Sequence, residues 1–383
     1  MSTIHAKHSG KKTPFQEWPT LTKNRHQIQR DENRYAFGAV TRRLFALEPS
    51  ILQQSHMSKI KLAGGVTAGS RLACAAAALT SATFVVNLNS PISAASGQVT
   101  PSVSNRAPEA QLTSATVTLP IVMVREFPFV QGEIAGIKGK FMLDTGMRDA
   151  LVINDHRVQL SGGTRIGSGF FGSGQTFDIR LHAAVDDIRI ANMRFPRVTS
   201  VRSQDARMLE GITPDFLGWI GYNFFRDHAL KLDYRRSRAT FYKKGPQQYL
   251  RGEKVVVVLP FQTRKLPNHP LLMAQIGGLD AIVSLDTGMN GALYISNADR
   301  TGLLANGHLK PTSEPDAFDT TGVRIANMVD ITLQSLEVQK GPSPASKSIG
   351  VTENTELELG YAFLKQYKTV WDFRQKKLYL LSR

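Results

Sequence analysis

The sequence has a single cysteine, Cys74, and lacks the common signatures of hydrolases and nucleotide-binding proteins. One cysteine cannot form a disulfide within the chain. The patterns H-E-x-x-H, G-x-S-x-G and the phosphate-binding P-loop do not occur. The nine histidines are scattered, and no pair has the spacing of metal ligands on a strand or helix. Neither a metal nor a cofactor is therefore predicted, and the chemistry must come from other side chains.

The chain also has few acidic residues relative to basic ones. It holds 47 Lys and Arg against 31 Asp and Glu, which gives a net charge of +16. About half of this excess lies in residues 1–95. The rest of the chain has no basic run interleaved with aromatic residues, which is the pattern expected of a nucleic-acid-binding surface. Nucleic acid is therefore not predicted as a partner.

The first 95 residues read as processing and targeting sequence. Residues 1–56 are polar and basic without periodicity, and we interpret them as disordered or as lying ahead of the true start. Residues 57–95 have a positive leader, an uncharged apolar run over 72–86 and a small-residue site at 93–95. That arrangement is typical of a secretory signal peptide. It predicts export to the periplasm, after which the mature chain keeps no cysteine.

The alternative for this segment is retention as an N-terminal membrane anchor, and contact with a membrane is expected only in that case. The apolar run is short and rich in alanine, which argues against a membrane span. Residues 96–115 are mostly Ser, Pro, Thr, Ala and Gly and are interpreted as a linker.

One short motif occurs twice in the remaining chain. Residues 141–146 and 282–288 are largely apolar runs that end in Asp-Thr-Gly. Each run predicts a buried strand, and its glycine predicts a turn at the strand end. Each copy therefore places one carboxylate, Asp144 or Asp286, on a tight loop. Two such loops in matching contexts predict a paired-carboxylate site.

Other landmarks recur in the same order, and they extend the repeat over two halves, residues 116–245 and 253–383. The matched pairs are Pro128 and Pro270, Ala150 and Ala292, Gly221 and Gly360, and Asp233 and Asp372. The segment from Tyr242 to Lys254 is interpreted as the link between the halves. Asp233 and Asp372 are predicted to have structural roles, with nearby arginines as partners.

An identical pentapeptide, Arg-Ile-Ala-Asn-Met, occupies residues 189–193 and 324–328. Its first copy starts 45 residues after Asp144 and its second 38 residues after Asp286. Asp187 and Asp330 align better. The pentapeptide is therefore interpreted as a coincidence.

Short segments of alternating polarity predict an all-β, mostly antiparallel fold. The clearest is residues 177–181, and residues 117–119 and 188–190 alternate in the same way. A period of two is the mark of half-buried strands. Helical patterns are scarce, and the best candidates are short, directly after Gly221 and Gly360. We expect two similar β lobes with a few short helices.

With these motifs, residues 115–383 resemble the aspartic protease superfamily, and in particular its bacterial retropepsin-like branch. The resemblance rests on the two Asp-Thr-Gly triplets and on two segments that end in glycine, Trp219-Ile220-Gly221 and Glu358-Leu359-Gly360. The first is apolar-apolar-Gly as in the family, whereas in the second Glu358 replaces an apolar residue. It implies two retropepsin- or pepsin-like lobes with Asp144 and Asp286 as the catalytic pair. It also implies that Thr145 and Thr287 brace the two loops, while Gly146 and Gly288 let backbone approach the carboxylates.

A glycine-rich stretch lies about where retropepsin-like proteins carry a mobile flap over the substrate. The residues concerned are Gly167, Gly169, Phe170, Phe171 and Gly172. Glycine permits the backbone conformations that such a tip needs. The stretch also fits G-x-G-x-x-G, but an alternating strand pattern follows it where a dinucleotide site requires a helix. An ordinary surface hairpin is the alternative to a flap.

Two carboxylates about 3 Å apart share one proton, so one can act as base on a water molecule and the other as acid. The sequence thus predicts an aspartic endopeptidase acting on a polypeptide substrate, active as a monomer because each half supplies one Asp. Two alternatives stay open. One is a peptide-binding protein that keeps the fold without turnover, and the other is a chain whose halves pair with those of another chain.

Overall fold

The computed structural model describes residues 110–171, 175–328 and 330–383. The predicted signal peptide and the sequence ahead of it lie outside these ranges, as does most of the predicted linker. Strands dominate, which confirms the all-β prediction. The strands up to the link are β1 (Thr116–Pro120), β2 (Val122–Val124), β3 (Phe127–Ile134), β4 (Ile137–Leu143), β5 (Leu151–Asn154), β6 (Thr164–Phe170), β7 (Thr176–Ile190), β8 (Met193–Gln204), β9 (Phe216–Ile220), β10 (Ala229–Asp233) and β11 (Arg238–Tyr242).

The strands after the link are β12 (Val255–Pro260), β13 (Leu271–Ile276), β14 (Leu279–Leu285), β15 (Gly291–Ile295), β16 (Leu309–Pro311), β17 (Ala317–Ile325), β18 (Ile331–Lys340), β19 (Glu356–Leu359), β20 (Lys368–Asp372) and β21 (Lys377–Leu381). The helices are α1 (Tyr222–Phe225), α2 (Pro246–Tyr249), α3 (Asn297–Ala305), α4 (Ser346–Ile349) and α5 (Tyr361–Leu364), with a 3₁₀ helix at Arg207–Gly211. The predicted short helices after Gly221 and Gly360 are α1 and α5. Within the described ranges no helix has the length and hydropathy to cross a membrane.

Alternating polarity explains the strands. Along β7, Phe177 and Ile179 are buried, while Asp178 and Arg180, each directly after one of them, are exposed. Successive side chains of a strand point to opposite faces, so one face packs inward and the other meets water. The link predicted over Tyr242–Lys254 carries α2, which begins at Pro246.

Two sheets have the same strand order. The first runs β2-β3-β4-β9-β5-β8-β7-β6 and the second β13-β14-β19-β15-β18-β17-β16, so each strand of the second has a counterpart in the first. Each sheet contains two parallel strand pairs. They are β4–β9 and β5–β8 in the first sheet and β14–β19 and β15–β18 in the second. The other pairs are antiparallel. The sequence repeat therefore corresponds to a repeat in topology.

A third sheet joins the two halves. Its order is β1-β11-β10-β20-β21-β12, and β10 pairs with β20 from Leu230↔Trp371 to Leu232↔Thr369. Asp233 and Asp372 end the two central strands, and each accepts a turn N–H at 3.0 Å. Their predicted structural role is confirmed: both carboxylates hold hairpin turns, with an arginine nitrogen at 3.6 and 3.9 Å.

The pentapeptides at 189–193 and 324–328 are structurally equivalent, so their interpretation as a coincidence was wrong. Both turn the chain between the same two strands, β7 to β8 and β17 to β18. Ala191 N donates to Gln131 O at 2.8 Å, and Ala326 N donates to Met273 O at 2.9 Å. Each of these carbonyls lies 13 positions before the repeated Asp of its half. The two spacings differ because β7 has 15 residues whereas β17 has 9.

The alternative pairing of Asp187 with Asp330 is correspondingly wrong. Asp187 lies within β7, before the turn, whereas Asp330 comes after the turn and just before β18. Both accept a hydrogen bond from a nearby arginine, Arg194 at 2.8 Å and Arg324 at 2.9 Å.

Candidate active site

The two repeated aspartates lie directly after buried strands. Asp144 follows β4 and Asp286 follows β14, as the apolar runs predict. Each Asp donates its backbone N–H across a parallel pair, to Ile220 O of β9 and to Leu359 O of β19, at 3.0 Å in both cases. The loops therefore begin in equivalent positions, and the neighbouring strand fixes where each carboxylate starts.

The residue after each triplet ties its loop to the following helix. The first N–H of α1 donates to Met147 O at 2.7 Å, and that of α5 to Met289 O at 3.0 Å. A side chain on Gly221 or Gly360 would overlap these methionine residues. Both methionine side chains are buried. The apolar-apolar-Gly segments thus lie against the Asp loops because glycine leaves room for the backbone.

The threonines of the triplets bind each other across the two halves. Thr145 N donates to Thr287 Oγ1 at 3.0 Å, and Thr287 N donates to Thr145 Oγ1, also at 3.0 Å. Thr287 Oγ1 in turn donates to Leu143 O at 2.9 Å. All these atoms are buried, so each hydrogen bond satisfies a group that water does not reach.

The two carboxyl groups are within hydrogen-bonding distance of each other and almost entirely buried. Asp144 is 0% exposed and Asp286 is 5% exposed. The glycines of the triplets allow this approach, because a Cβ on Gly146 would overlap the Asp286 carboxyl and one on Gly288 that of Asp144. Thus the six residues predicted from the two triplets lie together at one place.

Hydrogen bonds distinguish the two carboxylates. Asp286 Oδ1 accepts from Gly146 N at 2.9 Å and from Gly288 N at 2.8 Å, with Thr145 Oγ1 at 3.4 Å. Asp144 Oδ1 accepts from Met147 N at 3.0 Å, the backbone N–H of Gly146 also lies against this carboxyl, and within the described residues no hydrogen-bond partner is found for its Oδ2. Donors directed at a carboxylate stabilise its charged form, and more of them face Asp286 than Asp144.

Burial raises the pKa of Asp144 well above its usual range, and the charge of Asp286 raises it further. A second carboxylate so close cannot ionise without strong repulsion, which places the shared proton on Asp144. Its Oδ2, with no donor directed at it, is suited to carry that proton.

Sequence reasoning missed Asn268 and His269, which lie against the first Asp loop. Asn268 Nδ2 donates to Thr145 O at 3.1 Å and to Gly146 O at 2.6 Å. His269 is buried, and burial lowers its pKa although the charge of Asp286 opposes that shift. The sequence signal that could have found them is divergence between the two halves. Asn268 and His269 directly precede Pro270, whereas Glu126 and Phe127 precede the matching Pro128.

The glycine-rich stretch predicted as a flap forms a β-hairpin. Gly167, Gly169 and Phe170 lie in β6, which pairs with β7, and Gly172 lies outside the described residues. Phe171 packs on Phe177 with ring centroids 4.6 Å apart, in the apolar cluster that also contains Met147. The end of the hairpin next to its turn therefore packs in the same apolar cluster as the residue that follows the first Asp-Thr-Gly triplet. Its role as a flap stays a prediction.

The second half differs from the first on β19. Glu356 and Glu358 replace Leu217 and Trp219 of the first half, and both glutamates are buried. Serine hydroxyls satisfy them: Glu356 binds Ser284 at 3.1 Å and also Ser346, and Glu358 binds Ser343 at 2.8 Å. The glutamate that departs from the apolar pattern at 358 is thus accommodated by local hydrogen bonds.

Across residues 110–171, 175–328 and 330–383, no group of three or more His, Cys, Asp and Glu could hold a metal ion. Comparison with models of protein families finds no match for this chain. No curated protein matches it either. The paired carboxylates are therefore the feature of this chain from which a function can be inferred.

Proposed function

We propose that the protein is an aspartic endopeptidase whose two halves are retropepsin-like lobes. The observation that carries the proposal is the pairing of Asp144 with Asp286, held by reciprocal threonine hydrogen bonds between two equivalent strand-end loops. The repeated strand order supports two related lobes. No metal or covalent intermediate is needed for this chemistry.

The reaction follows from the distinct states of the two carboxyls. Ionised Asp286 takes a proton from a water molecule, whose oxygen forms a bond to the carbon of the scissile carbonyl. Protonated Asp144 gives its proton to the carbonyl oxygen. The tetrahedral intermediate then breaks its C–N bond: Asp286 gives the proton it took from water to the leaving nitrogen, and a hydroxyl of the intermediate returns its proton to Asp144 as the new carbonyl forms. The products are a carboxylic acid and an amine, and the pair regains one proton.

Access to the site requires movement, because the two carboxyl groups are almost entirely buried. The hairpin of β6 and β7 is the element we assign to this movement. Glycines occupy two of its seven β6 positions. Closure of such a hairpin over a bound peptide would exclude water from the reacting carbonyl. We further propose export, polypeptide substrates and a monomer as the active form.

A second candidate function is peptide binding without turnover. The burial of both carboxyl groups favours it, since a water molecule and a peptide must reach them for hydrolysis. The two functions differ in one measurable respect, the release of peptide fragments.

The test is to incubate the full chain with a peptide library and follow cleavage by mass spectrometry. Asp144→Asn and Asp286→Asn are expected to abolish hydrolysis while circular dichroism stays unchanged. Asp187→Asn is the matched control, because Asp187 lies in β7 and pairs only with surface arginines. Its activity should equal that of the wild type. Normal cleavage by either dyad variant contradicts the proposal, and binding without cleavage by the wild type favours the second candidate.

A further inference from the structure

The amide of Asn268 contacts two consecutive peptide units of the first Asp loop. Its Nδ2 donates to Thr145 O at 3.1 Å and to Gly146 O at 2.6 Å. Asn268 is 0% exposed. Both Nδ2 hydrogens are therefore used within the protein, and the contacts identify the atom that faces the two carbonyls as the donor nitrogen.

The same two peptide units hold the dyad through their N–H groups. Thr145 O belongs to the peptide whose N–H, on Gly146, donates to Asp286 Oδ1 at 2.9 Å. Gly146 O belongs to the next peptide, whose N–H, on Met147, donates to Asp144 Oδ1 at 3.0 Å. The Asn268 amide is thus linked to one oxygen of each carboxyl group, in each case through one of the two peptide units.

A hydrogen bond to a peptide carbonyl polarises the peptide and strengthens donation by its N–H. It also restrains the rotation of the peptide plane, which sets the direction of that N–H. Both effects stabilise negative charge on the carboxylate that accepts the N–H.

Among the described residues, the first half has no counterpart of Asn268 that contacts the second Asp loop. Alignment on the repeated prolines places Glu126 at the position of Asn268. The Glu126 side chain is 44% exposed and lies 4.0 Å from Lys365. The Asn268 contact therefore links the second half to the first Asp loop only, and it makes the two halves of the site unequal.

We propose that Asn268 is a positioning residue that tunes both carboxyl groups of the dyad through the Thr145–Gly146 and Gly146–Met147 peptides. Its loss weakens both N–H donors at once, so both proton-binding steps of the pair move to higher pH. The tuning of the carboxyl groups does not depend on turnover, whereas its consequence for catalysis rests on the proposed function.

Other groups that face Asp286 are Asp144, His269 and Tyr234. Burial, and after it the nearby Tyr361 and Asp286, raise the pKa of the Tyr234 hydroxyl, and burial lowers the pKa of His269. Asn268 is uncharged at every pH. A shift on its replacement therefore reports the hydrogen bonds and not the removal of a charge.

The experiment is a ¹³C NMR titration of the aspartate carboxyl groups in the full chain. Signals of the pair are assigned by their loss or change in Asp144→Asn and Asp286→Asn. In Asn268→Ala we expect both apparent pKa values of the pair to rise, by about half a pH unit each. Asn268→Ser keeps one hydroxyl donor and should shift them less. Glu126→Gln is the matched control at the counterpart position and should leave both values unchanged.

Activity supplies the second readout. In Asn268→Ala both limbs of the pH profile of kcat/KM should move upward with the NMR values, while KM changes little. If Asn268→Ala does not fold, Asn268→Ser carries the test. A folded Asn268 variant with unchanged titration overturns the inference, even if it hydrolyses peptides. Shifted titration in a protein without any hydrolytic activity leaves the inference standing and contradicts the proposed function instead.

Discussion

Thr145 and Thr287 each accept a hydrogen bond from the backbone N–H of the other, at 3.0 Å in both directions. The two residues are 142 positions apart in the chain, and their loops follow strands of two different sheets, β4 and β14. Their exchange of hydrogen bonds holds the two Asp loops face to face, because each threonine lies beside the carboxyl group it helps to position.

Replacing Thr287 by Val is expected to destabilise the protein by about 1–3 kcal/mol, because Thr145 N loses its acceptor in a buried place. Thr287→Ser keeps the hydroxyl and should cost less. Chemical denaturation monitored by fluorescence measures the difference. Equal stability of the two variants would contradict a role for the hydroxyl.

Replacing Gly288 by Ala places a methyl group against the carboxyl of Asp144. We expect loss of hydrolysis and a lowered melting temperature, since the pair must separate to admit the added atom. The control is Gly302→Ala in α3, where a Cβ meets nothing within 4 Å. That change should be neutral or stabilise by up to about 1 kcal/mol, because alanine favours helix. Full activity of Gly288→Ala would be incompatible with the close pairing.

The raised pKa of Asp144 predicts how its removal changes stability with pH. The folded protein binds a proton more tightly than the unfolded chain, whose Asp has a pKa of about 3.9. Stability from this group is therefore complete below that value and is lost as pH rises through the folded pKa. At pH 7, Asp144→Asn should be more stable than the wild type by about 1.4 kcal/mol per unit of raised pKa.

This difference between the two proteins should vanish as pH falls toward 3. His269 has the opposite trend, because its lowered pKa costs stability as pH falls below about 6.5. Both proteins retain His269, so the comparison of their thermal melting across pH isolates Asp144. A variant less stable than the wild type at pH 7 would contradict the buried, protonated state.

The active form is expected to be a single chain. Asp144→Asn and Asp286→Asn chains, each inactive alone, should stay inactive when mixed, because each carries only one carboxyl of its own pair. Refolding the mixture from denaturant allows halves of different chains to pair if they are able to. Recovery of substantial cleavage would show that the site is shared between chains.

Export predicts a processed N-terminus. Expression from Met57 in a Gram-negative host should yield a mature chain that begins near Ser96, released into the periplasmic fraction. N-terminal sequencing checks the start. A stable protein that keeps Met57 and sediments with membranes would favour the retained anchor.

Much of the fold was predictable because local pattern determines local structure. The apolar runs before Asp144 and Asp286 form β4 and β14, and the alternation around Phe177 forms part of β7. The equivalence of the pentapeptides at 189–193 and 324–328 was not predictable from spacing, since extra residues between the landmarks shift the count without changing the topology.

The sequence by itself determined the strand pattern, the turn at each Asp-Thr-Gly and the duplication that supplies two carboxyl groups. Only the tertiary structure decided that Asp286 has three donors near one oxygen, whereas Asp144 has fewer donors and an Oδ2 without a hydrogen-bond partner among the described residues. It also brought Asn268 to the carbonyls of a loop more than 120 residues earlier. Such contacts depend on how two sheets pack together, and a hydrogen bond requires placement to a few tenths of an ångström, which no local pattern encodes.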